Sequence, residues 1–264
     1  MNRSNRETSR QAAQIELHRR LAQHYDRRYE PGYSQIFQHF WNETLMELCS
    51  PKAESYVLDL GCGNGILLQT IEDHRCLPFG LDISFEMVNS ARTRAGNRTS
   101  LMVSDANTLP LSSSSIDAVI CRGVLHHVPN LDLTFREVHR VLKPGGVWVF
   151  SEPSDDSFIV RAARSILYRK SDRFDEKDKG FRQSETEEMI RHLRLFDIIR
   201  VQRFGFLAYA LAGFPDHLPV LKWVPFNRGA TRVLIRLDRF LSTVPFMNKL
   251  SLHMIFVLKK RGNA

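Results

Sequence analysis

The sequence predicts an α/β fold with a doubly wound, mostly parallel sheet. Short apolar runs alternate with amphipathic stretches of helical period along the middle of the chain. A glycine-rich turn, Gly61 to Gly65, joins the first run to a helix starting at Ile66-Leu67-Leu68, the arrangement of a nucleotide site in such folds. Carboxylates end the first three runs: Asp59, Asp82 and Asp105.

Val57-Leu58 suits a buried first strand, and the chain then reads D-L-G-C-G-N-G. Glycines let a ligand approach the main chain closely, and the following helix points free N–H groups at it. A dinucleotide fingerprint, G-x-G-x-x-G, needs its third glycine one residue later than Gly65. Asp59 would repel a pyrophosphate but could accept from an ammonium group. V-L-D-L-G-C-G-N-G resembles the first motif of the class I S-adenosylmethionine-dependent methyltransferases, a strand followed by D/E-x-G-x-G-x-G. That resemblance implies a Rossmann-like seven-stranded sheet with an antiparallel last strand and helical cap insertions. It further implies that Asp59, Gly61, Cys62, Gly63, Asn64 and Gly65 hold S-adenosyl-L-methionine, with S-adenosyl-L-homocysteine as product. A nicotinamide site and a glycine turn without ligand are the alternatives.

At 264 residues the chain suits one domain: a helical cap over 1–50, a core over 51–204 and 252–260, and an insertion over 205–251. Its net charge of +8 favours anionic partners, either nucleic acid or a membrane surface, or is simply a basic surface. Four scattered cysteines without a C-x-x-C suggest neither a disulfide framework nor zinc, and fit a reducing cytoplasm. The polar start suits no signal peptide, and no apolar run reaches the roughly 18 residues needed to span a bilayer.

Residues 11–41 read as helical, interrupted by Pro31-Gly32, with a second helix from Tyr33 to Cys49 stopping before Pro51. Core packing explains most of the aromatic side chains here. In the resembling family a Tyr-Asp pair on an N-terminal helix faces the transferring methyl, and Tyr25-Asp26 is placed as that pair.

Cys76 to Asp82 reads as the second strand. A carboxylate at its end, Asp82, is positioned to accept from both ribose hydroxyls of an adenosine; a helix N-cap or a turn residue is the alternative. Ser84 caps the next helix, and Ile83 and Met87 flank the adenine. Leu101 to Ser104 is the third strand. The resemblance assigns Asp105-Ala106 to the adenine edge; an Asx turn before Asn107 is the alternative.

Ile116 to Cys121 is strand four, beside strand one, and Cys121 at its end is placed among the cofactor-binding residues. The segment L-H-H that follows sets His126 and His127 near the methyl, with His127 favoured as the proton acceptor and Glu152 as a second polar group, a cap or an ion-pair partner. A helix over 131–142 ends at K-P-G-G, and Val147 to Phe150 is strand five. Phe158 to Leu195 reads as two helices around a highly charged segment; 196–201 and 253–258 are the last strands, pairing as an antiparallel hairpin.

Within 205–251 a helix over 229–244 sets Val233, Leu234, Leu237, Phe240 and Leu241 on one face and Arg232, Arg236 and Arg239 on another. That apolar face either packs on the sheet domain or rests on a membrane. In place of the (D/N/S)-P-P-(Y/F) signature of amino-group nucleic-acid methyltransferases stands C-R-G-V, and the sequence offers no paired Asp/Asn set for a metal. The expected function is therefore metal-independent methyl transfer to an O, N or C nucleophile of a small, hydrophobic or lipid-like acceptor. RNA or protein methylation and a non-catalytic cofactor-binding scaffold are the alternatives.

Overall fold

The computed structural model describes residues 30–168, 180–213 and 218–262. Tyr25, with its neighbour Asp26, lies outside the described residues, as does most of the charged segment after Tyr168.

Seven strands form one sheet: β1 Tyr56–Leu60, β2 Leu77–Asp82, β3 Ser100–Val103, β4 Ile116–Arg122, β5 Leu142–Pro153, β6 Phe196–Phe204 and β7 His253–Lys260. Their order is β3-β2-β1-β4-β5-β7-β6. β7 runs antiparallel to both β5 and β6, and the other pairings are parallel, as expected from the sequence. The strand order reverses between β1 and β4, and the carboxyl ends of strands beside such a switch point leave a crevice.

Period-2 alternation along the strands feeds two apolar layers. Val57, Ala118, Ile120, Val149, Ile255 and Val257 turn to one side of the sheet and meet helix α1, Gly32–Cys49. Here Phe37 sits among Phe40, Trp41, Phe204 and Tyr209 at ring-centroid distances of 6.0–6.2 Å. Leu58, Leu60, Val119, Trp148, Phe150 and Phe256 turn to the other side. There Phe135, Val138 and Val141 of a helix over Leu131–Val141 and Ile190 of one over Gln183–Leu193 cover them.

Two boundaries differ from expectation. The helix ends at Val141, before K-P-G-G as expected, but β5 already begins at Leu142, so K-P-G-G is an irregular base of the strand with Gly145 at positive φ; Lys143 is held there by Asp117 at 2.8 Å. β4 continues one residue beyond Cys121, to Arg122.

The segment between β6 and β7 is mostly short turns, with one long helix over Asn227–Leu241. It is anchored by Asp238, which is buried and accepts from the backbone N–H groups of Phe206, Ala208 and Tyr209. Burial raises the pKa of that carboxyl, and those donors pull it back down. A second anchor is a buried chain of polar groups: Trp41 donates to Ser151 at 3.3 Å, Ser151 meets His253 Nδ1 at 3.2 Å, and His253 Nε2 meets Tyr209 Oη at 2.5 Å. Burial holds His253 well below the usual histidine range, so the ring is neutral. The expected apolar face of the helix is corrected: Leu234 packs against the core, but Val233, Leu237 and Phe240 are exposed, and the buried stripe is Thr231, Ile235 and Asp238. Packing against α1 selects that stripe because Asp238 must reach the turn it caps.

Candidate functional site

A cavity of about 160 Å³ opens at the carboxyl ends of β1, β2, β3 and β4. Its floor is the glycine turn. Gly61 N–H donates to Leu81 O at 2.7 Å, and Gly65 N–H to Cys62 O at 2.9 Å, folding the chain back into the helix over Ile66–Asp73. Gly61, Gly63 and Gly65 all have positive φ. A Cβ at Gly61 would run into Val124, whereas a Cβ at Gly63 would point into open space.

Asp82 stands at the cavity wall and does more than face a ligand. One carboxylate oxygen accepts from Gly63 N–H and the other from Ser84 N–H, both at 2.9 Å. The carboxylate thus ties the second strand to the glycine turn. Ser84 also caps the helix over Phe85–Ala91, accepting from Met87 N–H at 3.3 Å. Ile83 and Met87 complete this side of the cavity. Across it, Asp105 and Ala106 line the wall, and Asp105 forms the Asx turn, accepting from Asn107 N–H at 2.9 Å.

The loop after β4 carries the two histidines in a 3₁₀ turn, Leu125–His127. His127 lines the cavity; His126 does not. Glu152, fully buried at the end of β5, holds the turn from beneath. One of its oxygens accepts from Val124 and Leu125 N–H at 2.9 and 2.8 Å, and the other pairs with His126 Nδ1 at 2.7 Å. The His126 and His127 rings lie 3.8 Å apart at their centroids, so the anchored ring backs the cavity-facing one. Glu152 therefore takes the ion-pair and loop-anchoring position, and it is not among the cavity residues.

The structure thus gathers Gly61, Gly63, Asp82, Ile83, Met87, Asp105, Ala106 and His127 around one cavity. Asp59, Cys62, Asn64, Gly65, Cys121 and His126 stand behind its wall. Cys62 and Asn64 are buried within the turn, and Gly65 starts the helix against Ala91. Cys121 does not line the cavity: its side chain is fully buried in the layer with Val119 and Phe150. Cys121 lies two residues after Val119, so alternation along β4 turns both into the same layer of the core. Asp59 is buried too; burial pushes its carboxyl up to about 7, against the pull of the Arg122 guanidinium.

Sequence reasoning missed Arg122. Its guanidinium lines the cavity, lies 4.8 Å from the Trp41 ring centroid and donates to Asn42 Oδ1 at 2.6 Å. The available signal was its place immediately after the apolar run of strand four. Among the described residues no group of three or more His, Cys, Asp or Glu could hold a metal ion.

Residues 58–150 match the model of a family described as a methyltransferase domain. That match covers β1 to the middle of β5, and it supports a class I S-adenosylmethionine-dependent methyltransferase domain there. An uncharacterised protein of Methanocaldococcus jannaschii is 32% identical over 168 residues, 62% of each chain. The ubiquinone/menaquinone biosynthesis C-methyltransferase of Rubrivivax gelatinosus is 29% identical over 123 residues, 46% of this chain and 48% of that one. In both, the match spans less than two thirds of the relative's own length. A chain solved in the complex of the Haloferax volcanii Trm112 methyltransferase activator and a methyltransferase has a TM-score of 0.65 at 19% identity, covering 94% of this chain and 99% of that chain.

Proposed function

We propose that this methyltransferase moves a methyl group from S-adenosyl-L-methionine to an O, N or C nucleophile of a small, hydrophobic or lipid-like acceptor, releasing S-adenosyl-L-homocysteine. The observation that carries the reading is the meeting of Gly63, Asp82, Asp105 and His127 around one cavity at the switch point of the sheet. The cavity fits such a cofactor: Gly63 leaves its backbone bare, and two carboxylates sit where hydroxyl and amino donors of an adenosine need acceptors. When bound, the cofactor supplies a methyl group already activated by its sulfonium.

The chain's own residues then have three tasks. Asp82 accepts from the ribose hydroxyls, Asp105 with the Ala106 backbone meets the adenine edge, and Ile83 and Met87 flank the ring. Arg122, positioned by Trp41 and Asn42, offers a guanidinium to an anionic group. His127 orients the acceptor nucleophile and takes its proton as the new bond to carbon forms and the carbon–sulfur bond breaks. Glu152 and His126 hold that imidazole's loop in place. Positioning alone is worth roughly 7–11 kcal/mol in favourable cases, which suits an already activated donor. A relative named for quinone biosynthesis supports the lipid-like class of acceptor.

The test has two stages. Calorimetry with S-adenosyl-L-methionine should show one-site binding that Asp82→Ala weakens. Mass spectrometry of a host extract incubated with the protein and cofactor should then show a metabolite gaining one methyl. Absence of binding heat overturns the cofactor assignment. Binding without turnover over a broad acceptor panel instead makes the chain a cofactor-binding scaffold.

A further inference from the structure

We propose that residues 219–249 form a docking surface for an anionic lipid bilayer. The argument starts from the helix over Asn227–Leu241. Successive residues on a helix are about 100° apart, so its side chains fall into stripes. Taking the buried stripe Thr231, Ile235 and Asp238 as reference, Arg232, Arg236 and Arg239 lie about 100° away, and Val233, Leu237 and Phe240 about 200° away. The stripe of Val233, Leu237 and Phe240 therefore points almost directly away from the protein.

The two ends of the helix repeat the pattern. Trp223 and Phe226 precede it and Phe246 follows it, 80%, 93% and 78% exposed, with Phe240 at 64%. A soluble surface rarely leaves so many large rings in water without a partner. The charges identify the partner. Lys222, Arg228, Arg232, Arg236, Arg239 and Lys249 are all exposed. Asp238 is the only acid in 219–250, and it is buried and spent on backbone N–H groups. A surface of rings and cations with no exposed carboxylate complements anionic headgroups over an acyl layer: cations meet phosphates while Trp and Phe enter the interface. Fifteen helical residues interspersed with arginines lie on a bilayer rather than cross it. No helix among the described residues is long and apolar enough to cross one.

This inference goes beyond the methyl-transfer reading and does not rest on it. Flotation of the full chain is compared with vesicles of phosphatidylcholine alone and of phosphatidylcholine mixed with phosphatidylglycerol. The protein should float at least about tenfold more with the anionic vesicles, and less as salt rises. Its Trp emission should shift to the blue on those vesicles. The shift reports Trp223, because Trp41 and Trp148 are already buried. Leu237→Glu with Phe240→Glu should lower flotation at least about tenfold while cofactor binding, read by calorimetry without vesicles, is unchanged. Trp223→Ala with Phe226→Ala, outside the helix, gives a second variant if the first fails to fold. Three results overturn the proposal: no flotation, equal flotation of a folded variant, or a vesicle-independent blue shift that grows with protein concentration and so marks a second copy or a protein partner on this face.

Discussion

His127 and Arg122 both face the cavity, but opposite kinds of support hold them there. The His127 ring leans on His126, which Glu152 fixes, whereas Arg122 is held by an aromatic face and an amide oxygen. If His127 takes the acceptor's proton, His127→Ala should lower kcat by about 10²–10⁴-fold and leave cofactor affinity unchanged. Steady-state kinetics beside calorimetry separates the two, and unchanged turnover removes the role. Asp59 makes a different prediction. Burial raises its folded pKa to about 7, above the ordinary carboxylate value, so the folded state favours the proton. The sign follows: its stabilising effect is full below the unfolded pKa and is lost as pH rises through about 7. Without cofactor, Asp59→Asn should match the parent at about pH 4 and exceed it by a few kcal/mol at about pH 8.5, read by urea denaturation.

At the scale of elements, the loop after β4 is a short turn that owes its shape to a strand two elements later. Two backbone N–H groups and the His126 ring converge on Glu152. Glu152→Ala should cost about 2–4 kcal/mol, because it strands buried N–H groups, and Glu152→Gln should cost less. Chemical denaturation measures both. The insertion before β7 shows the same logic in reverse: Asp238 caps a turn on a neighbouring element, and that capping decides which stripe of its helix is buried. A hydrophobic pattern alone favours Val233, Leu237 and Phe240 as the buried stripe, about 200° from the stripe of Thr231, Ile235 and Asp238 that the packing selects.

Across the whole molecule, the sheet order brings four strand ends to one crevice although their residues are far apart in sequence. A ligand held there ties β1, β2, β3 and β4 together, so binding should raise global stability. With S-adenosyl-L-methionine at about a hundred times its dissociation constant, the gain should be roughly 2.7 kcal/mol, seen as a rise in Tm that Asp82→Ala diminishes. Calorimetric melting checks this, and an unmoved Tm with intact fold would contradict binding at this crevice.

The strands, the helix starting at Ile66 and the glycine turn were legible in the sequence because each depends on local chemistry: β-branched runs, a Ser84 cap, glycines at positive φ. The three carboxylates at strand ends were legible for the same reason. Two of them reach the cavity, while Asp59 is buried behind it. What the tertiary structure alone decided is orientation. Alternation along β4 put Cys121 in the core with Val119 and left its neighbour Arg122 at the cavity. Capping by Asp238 turned Val233, Leu237 and Phe240 to the outside. Both outcomes depend on contacts between residues distant in the chain, which local spacing does not encode.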